Sequence, residues 1–353
     1  MHMAWQGIEG HDAVVERFVA AFARDRIAGS YLFIGPAGIG KSTFAKKLAK
    51  ALLCQSLQEG LIPCDACASC VQAEAGSHPD IDIVEKPAER STIPLELLIG
   101  NPDHRMREGL CWRLLLRPAL AGRKAAIILD ADHLAEEAAN CLLKTLEEPP
   151  DRAVIILVGT SLERQLPTIR SRCQIVRFQP LTAENGEIVF RILSRESEQA
   201  GEQASVATLR ACAQACDGSL YRARQLLDPA MTDFRSHLIA LLSHRPLHGV
   251  ELSRDTIALV EAAGKEAPPR RARLRIVLES AVEFFRAALR HDLTGETPND
   301  PSLRRGISAW MAVASDPVEE ATVALQHTLD AIEAIDRNAN MTMLIDAWTA
   351  ALE

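Results

Sequence analysis

Apolar positions along this chain follow two rhythms, and the change from one to the other divides it. In the first half, short solid apolar runs alternate with stretches of helical spacing. Val14, Val15, Phe18, Val19 and Phe22 mark one helix face after Gly10-His11-Asp12, where Asp12 suits an N-cap. Tyr31 to Ile34 is a solid run, and Phe44, Leu48 and Leu52 return to helical spacing. Ile81 to Val84 reads as a short strand and Ala125 to Leu129 as a fully apolar one. A helix is predicted over 132–148, with Leu142, Leu143 and Leu146 inward and Pro149-Pro150 as its stop. Val154 to Val158 and Gln174 to Phe178 supply two more strands. This alternation predicts an α/β domain, a three-layer parallel sheet, through residue 180.

Beyond Pro180 the strand-like runs stop. Amphipathic patterns recur over 188–199, 206–228, 234–243, 271–291, 306–315 and 319–337, so the remainder is predicted to be helical. Asp228-Pro229 divides it into a small helical domain over 181–229 and a larger one over 230–353. Lys265 to Pro269 and Asp292 to Pro301 read as loops. No internal repeat or low-complexity segment is present.

Between the first strand and the next helix stands Gly-Pro-Ala-Gly-Ile-Gly-Lys-Ser-Thr, residues 35–43, the sequence form of a phosphate-binding loop. Gly35, Gly38 and Gly40 let backbone N–H groups turn inward around phosphates, and a helix starting near Lys41 points its positive dipole end at them. Lys41 would reach the terminal phosphates of ATP. Ser42 or Thr43 offers a hydroxyl to Mg²⁺, with Ser42 at the motif's metal position. Asp130 ends the apolar run at 125–129; there it either holds the Mg²⁺ shell beyond a parallel strand end or caps the following helix.

At 353 residues the chain has room for two or three domains, and 48% apolar with 24% charged residues excludes a disordered chain. A net charge of −8 argues against autonomous binding to a polyanion and directs attention to protein partners. No apolar run reaches the roughly 18 residues of a membrane span. The N-terminus lacks a charged segment followed by an apolar one, so no membrane association and a cytoplasmic location are expected; His2-Met3 has the look of a cloning remnant.

Nine cysteines are odd in number, but four cluster as Cys54, Cys64, Cys67 and Cys70. The short spacings let four thiolates converge on one Zn²⁺ in a closed, structural site. The competing readings are a redox-active Cys-x-x-Cys pair and unligated buried thiols. Cys141, Cys212 and Cys216 fall in helical patterns and suit small buried hydrophobes.

Four segments together resemble the bacterial clamp-loader subunits of DNA polymerase III, a branch of the AAA+ ATPases. They are the phosphate loop, the four-cysteine insertion after its helix, Asn140-Cys-Leu-Leu-Lys-Thr-Leu-Glu-Glu-Pro-Pro150, and Ser171-Arg172-Cys173. The resemblance is good from about residue 5 to 230 and weak beyond, where Asn338-Ala-Asn340 and Leu344 are similar to the end of the family's helical collar. It implies an AAA+ nucleotide-binding domain over 1–180 with a zinc insertion at 54–70, a helical lid over 181–229 and an all-α collar over 230–353. It implies that Arg172 acts as an arginine finger on a neighbouring subunit's nucleotide, with Arg170 as competitor. Thr160 falls at the position of the polar sensor of the terminal phosphate, or else is a strand-end cap. The implied partners are the gamma/tau motor and delta subunits of a hetero-oligomer, and through it the sliding clamp and primer-template DNA.

Two departures point away from a motor. The family's base, Glu, is replaced by Ala131, which accepts no proton. The second sensor arginine would fall on Tyr221 in Gly218-Ser219-Leu220-Tyr221-Arg222, and Arg222 lies about 100° away on a helix. The expected role is a stator-type subunit with weak or absent ATPase. The alternative is an active motor using Glu136 or Glu137 as base.

Overall fold

In the computed structural model the described residues are 5–353 apart from 88, 89, 91, 106, 121, 182–185, 201–203, 217, 299 and 338. His2-Met3 and Asn338 lie outside them. The chain divides into two compact units, Met1–Ile192 with Asp217–Arg222, and Leu193–Cys216 with Ala223–Glu353.

The first unit is built on five parallel strands, β1 (Ser30–Ile34), β2 (Ile81–Val84), β3 (Lys124–Ile128), β4 (Ala153–Gly159) and β5 (Gln174–Arg177), in the order β2-β3-β4-β1-β5. Central strands are apolar on both faces because each face is covered. Tyr31, Ile127 and Ile156 stand in register on one side, and Leu32, Ile128 and Leu157 on the other. The first row packs with Phe18, Phe33, Phe44 and Phe178, the second with Leu98, Leu110, Leu142 and Ile169. Two separate cores therefore clamp one sheet, as a parallel sheet between helices requires.

The helices of this unit are α1 (Asp12–Ala23), α2 (Lys41–Leu52), α3 (Ala68–Glu74), α4 (Leu95–Ile99), α5 (Gly109–Leu115), α6 (Glu136–Glu147) and α7 (Pro167–Arg170). The helix expected over 132–148 starts later, because residues 131–133 form a single 3₁₀ turn first. The carboxyl ends of β1, β3 and β4 lie at one edge of the sheet, where open parallel sheets place their ligands.

The second unit is helical. A 28-residue helix, Ala267–Thr294, packs against Pro317–Asp336, and Pro229–Leu242, Gly249–Glu261, Pro301–Met311 and Met341–Ala351 surround them. Phe284 and Phe285 meet Trp310 edge-on in the core, with ring centroids 6.1 and 6.5 Å away. Among the described residues no helix is long and apolar enough to cross a membrane.

The pattern over 206–228 forms two helices, Val206–Ala215 and Leu220–Gln225, separated by a turn in which Gly218 has a left-handed φ of +76°. A Cβ there would lie 1.8 Å from the Leu181 carbonyl oxygen, so the helix cannot run through. The loop expected over 265–269 is already helical from Ala267, with its prolines in the first turn where missing N–H groups cost nothing.

Candidate nucleotide site and its flanking clusters

The phosphate loop sits where its sequence predicts, between β1 and α2. Gly40 is the N-cap of α2 in left-handed conformation, φ 97°. A Cβ at Gly40 would meet only His11 Nε2 at 4.0 Å, so the loop is open on that side. Lys41 is buried, and its Nζ donates to the Gly35 and Pro36 carbonyls at 2.7 and 2.6 Å. Burial pushes its ammonium down to about 8, with Asp132 as the opposing charge. Ser42 is half-buried and Thr43 exposed in the first turn. A buried lysine, a glycine loop open beside Gly40 and a 12-residue helix behind them fit a nucleotide phosphate. His11, which sequence reasoning passed over, braces the loop: the Ile39 carbonyl accepts from Nε2 at 2.7 Å, and burial lowers the imidazole pKa.

The carboxylate whose charge acts on this lysine is Asp132, two residues beyond the strand-end Asp130. β3 ends at Ile128, and Asp130 takes a left-handed φ of 54° that leaves its side chain exposed and without a capping hydrogen bond. Asp132 instead accepts from Thr160 N at 2.8 Å and from Gln165 Nε2 at 2.5 Å. Thr160 is thus a strand-end residue pinned by its backbone, half-buried beside Asp132. Ala131 is buried between the two acids. Glu136 and Glu137 are exposed in the first turn of α6. The signal for Asp132 was a second acid two residues past the first.

Residues 219–221 lie directly on the loop. Leu220 N donates to the Gly38 carbonyl at 2.9 Å, and Ser219 Oγ donates to the Ala37 carbonyl at 3.1 Å. Gly38, φ +74°, is obligatory here, since a Cβ would lie 2.3 Å from Ser219 Oγ and 2.5 Å from Tyr221 Cβ. Tyr221, where the second sensor arginine would fall, has a half-exposed ring.

Arg172 follows α7 on a fixed base. Ile169 and Cys173 on either side are buried, burial pushing the Cys173 thiol up to about 12. The guanidinium donates from Nη1 to Thr168 O at 3.0 Å and pairs through Nη2 with Glu147 at 2.6 Å. Arg170 is exposed.

The four cysteines meet: their sulfurs all lie within 4.8 Å of one another, with Cys64 and Cys70 at 4.0 Å. Zn–S bonds of about 2.3 Å in a tetrahedron separate sulfurs by about 3.8 Å, so the donor set fits zinc. Backbone N–H groups of Cys64, Cys67 and Cys70 point at the Cys54, Cys64 and Cys67 sulfurs at 3.3 to 3.4 Å, as thiolate ligands require. Cys67, where burial is outweighed by N–H donors from Gln55 and Cys70, falls to about 6, whereas burial raises Cys70. No described cysteine is in a disulfide.

Residues 10–182 match the family described as "DNA polymerase III, delta subunit". DNA polymerase III subunit delta' of Bacillus subtilis is 34% identical over 182 residues, 51% of this chain and 51% of that one. The delta' subunit of Pseudomonas aeruginosa is 35% identical over 181 residues, 51% of this chain and 52% of that one. Subunit tau of Bacillus subtilis is 31% identical over 231 residues, 65% of this chain and 38% of its own length. The chain thus spans 51–52% of the length of these two delta' relatives. Through residues 10–182, which hold the phosphate loop, the sheet and the Ser171-Arg172-Cys173 segment, the chain belongs to the AAA+ clamp-loader family of DNA polymerase III, on its delta-prime branch.

Proposed function

We propose that this chain is a stator-type subunit of a DNA polymerase III clamp loader, acting in the cytoplasm. It assembles with gamma/tau-type motor subunits and a delta-type subunit to load a sliding clamp on primer-template DNA. The AAA+ domain over 1–180 carries a structural zinc at Cys54, Cys64, Cys67 and Cys70. The helices over 181–229 act as a lid whose segment at 218–222 rests on the phosphate loop, and 230–353 forms the collar.

The observation that carries this reading is the pairing of a missing base with an anchored arginine. Ala131 is buried where the motor's Glu would orient water, and both Asp132 oxygens already accept hydrogen bonds from Thr160 or Gln165. The site is suited to hold ATP through Lys41, Ser42 and Thr43 without activating water. Mg²⁺, when bound with ATP, supplies charge neutralisation at the phosphates. Asp132 accepts from the backbone N–H of the sensor-position Thr160 and its charge acts on Lys41, while Asp130 is the strand-end carboxylate for the Mg²⁺ shell. Arg172 is partly exposed and held by Thr168, Ser171 and Glu147 of its own chain, and a guanidinium on a transferring phosphoryl group is worth about 10³–10⁵ in rate where it operates.

The test is Arg172→Ala in a loader assembled with its motor subunits. ATP turnover should fall by orders of magnitude while this chain's melting temperature stays the same. Unchanged turnover removes the finger.

A further inference from the structure

The ion pair at Arg172 is more than a surface contact. Three acceptors converge on one guanidinium: Thr168 O at 3.0 Å, Ser171 Oγ at 3.2 Å and Glu147 Oε1 at 2.6 Å. The foot of the side chain is equally fixed, since Arg172 N donates to Ile169 O at 3.1 Å. Glu147 stands on a rigid mount. It is the last residue of α6, and the buried Leu146 before it gives its carbonyl to Ser30 Oγ at 3.0 Å, at the start of β1. The carboxylate is therefore tied to the same strand that leads into the phosphate loop.

Stability does not account for this arrangement. The Glu147 side chain is 52% exposed and that of Arg172 27%, and a pair with one partner in solvent contributes little to folding. What the pair fixes is direction. A free arginine has many rotamers to lose before it meets a phosphate, and a guanidinium already held in place loses fewer.

We propose that Glu147 is the positioning residue of Arg172, orienting its guanidinium before a neighbouring subunit's phosphate arrives. This rests on the reading of Arg172 as a finger acting in trans. Arginine offers five donors in a rigid fork; Nη1 serves Thr168 O and Ser171 Oγ and Nε is buried, so the N–H left for a second anion is on Nη2, beside Glu147.

The experiment is steady-state ATP hydrolysis by the reconstituted loader carrying wild-type chain, Glu147→Ala, Glu147→Gln, Arg172→Ala or the double variant Glu147→Ala/Arg172→Ala. Glu147→Ala should lower kcat about tenfold, inside the roughly hundredfold that an ångström of misplacement can cost, with KM little changed. Glu147→Gln keeps an oxygen acceptor and should recover part of the loss. The double variant should be no slower than Arg172→Ala, because the carboxylate acts only through the arginine. Wild-type turnover in Glu147→Ala beside a slow Arg172→Ala overturns the inference and leaves the finger standing. So does a double variant slower than Arg172→Ala by the full Glu147→Ala factor. Wild-type turnover in Arg172→Ala overturns the finger itself, and the positioning role with it.

Discussion

Lys41 shows how one residue's burial becomes a property of the site. Burial pushes its ammonium down to about 8, with Asp132 only partly offsetting the loss of water. Bound phosphate would favour the charged form and return the pKa toward its usual range. Between those two values ATP binding takes up a proton, so affinity falls as pH rises. Below pH 8 this group contributes no dependence; above it the dissociation constant should rise by up to about tenfold per pH unit. Calorimetric titration with ATP between pH 7 and 10 checks this, and a flat profile would show that Lys41 does not meet the phosphate. The loop was legible because its residues are contiguous and each glycine has a backbone task. The second acid, Asp132, was not. The apolar run reaches Leu129, but pairing stops at Ile128 and Asp130 is an exposed residue in left-handed conformation. Periodicity carries no information about a single φ angle.

At the scale of elements, the cysteine insertion is held by more than its own sulfurs. Asp80 N donates to His78 Nδ1 at 3.0 Å, which leaves Nε2–H to donate to Ser69 Oγ at 2.8 Å, and Ser69 in turn donates to Leu53 O at 2.7 Å. Ser69 and His78 are both buried. Lys50 of α2 adds a second tie, pairing with Asp65 at 2.8 Å and Glu74 at 2.5 Å. Cys67→Ser should reduce zinc from about one equivalent to none in freshly purified protein, since such sites bind and fold together. Finding no zinc in the parent protein would refute the site. Ser69→Ala keeps all four sulfurs but strands a buried carbonyl and a buried imidazole N–H, so denaturant unfolding should show a loss of about 1–3 kcal/mol. The spacing of the cysteines predicted their convergence; the serine–histidine chain has no sequence pattern. Short helices escaped for a related reason. Ala68–Glu74, Leu95–Ile99 and Gly109–Leu115 span two turns or fewer, too little for a face to repeat. Gly249–Glu261 and Met341–Ala351 are longer, but Val250 and Met343 place large apolar groups on their exposed sides and blur the pattern.

At the scale of the whole molecule, the question is whether the chain works alone. The helix Ala267–Thr294 has one apolar face. Leu274, Val277, Leu278, Val282 and Phe285 are buried within their own unit, so that face is spent on folding, and any subunit interface must use other residues. The phosphate-loop unit carries candidate binding elements, and the residue after Asp130 is an alanine. A positioned acid–base group contributes typically about 10²–10⁴ in rate, and Ala131 supplies none. The exposed Glu136 and Glu137 stand in the first turn of α6, where acidic groups complement the helix dipole without a catalytic role. The full chain by itself should therefore bind ATP with negligible turnover, measured as nucleotide binding and phosphate release on parallel samples. Robust turnover by the isolated chain that disappears in Lys41→Ala would mean that Glu136, Glu137 or another acid replaces the missing base. The chain would then be a motor, and its arginine would no longer be its principal contribution to the assembly.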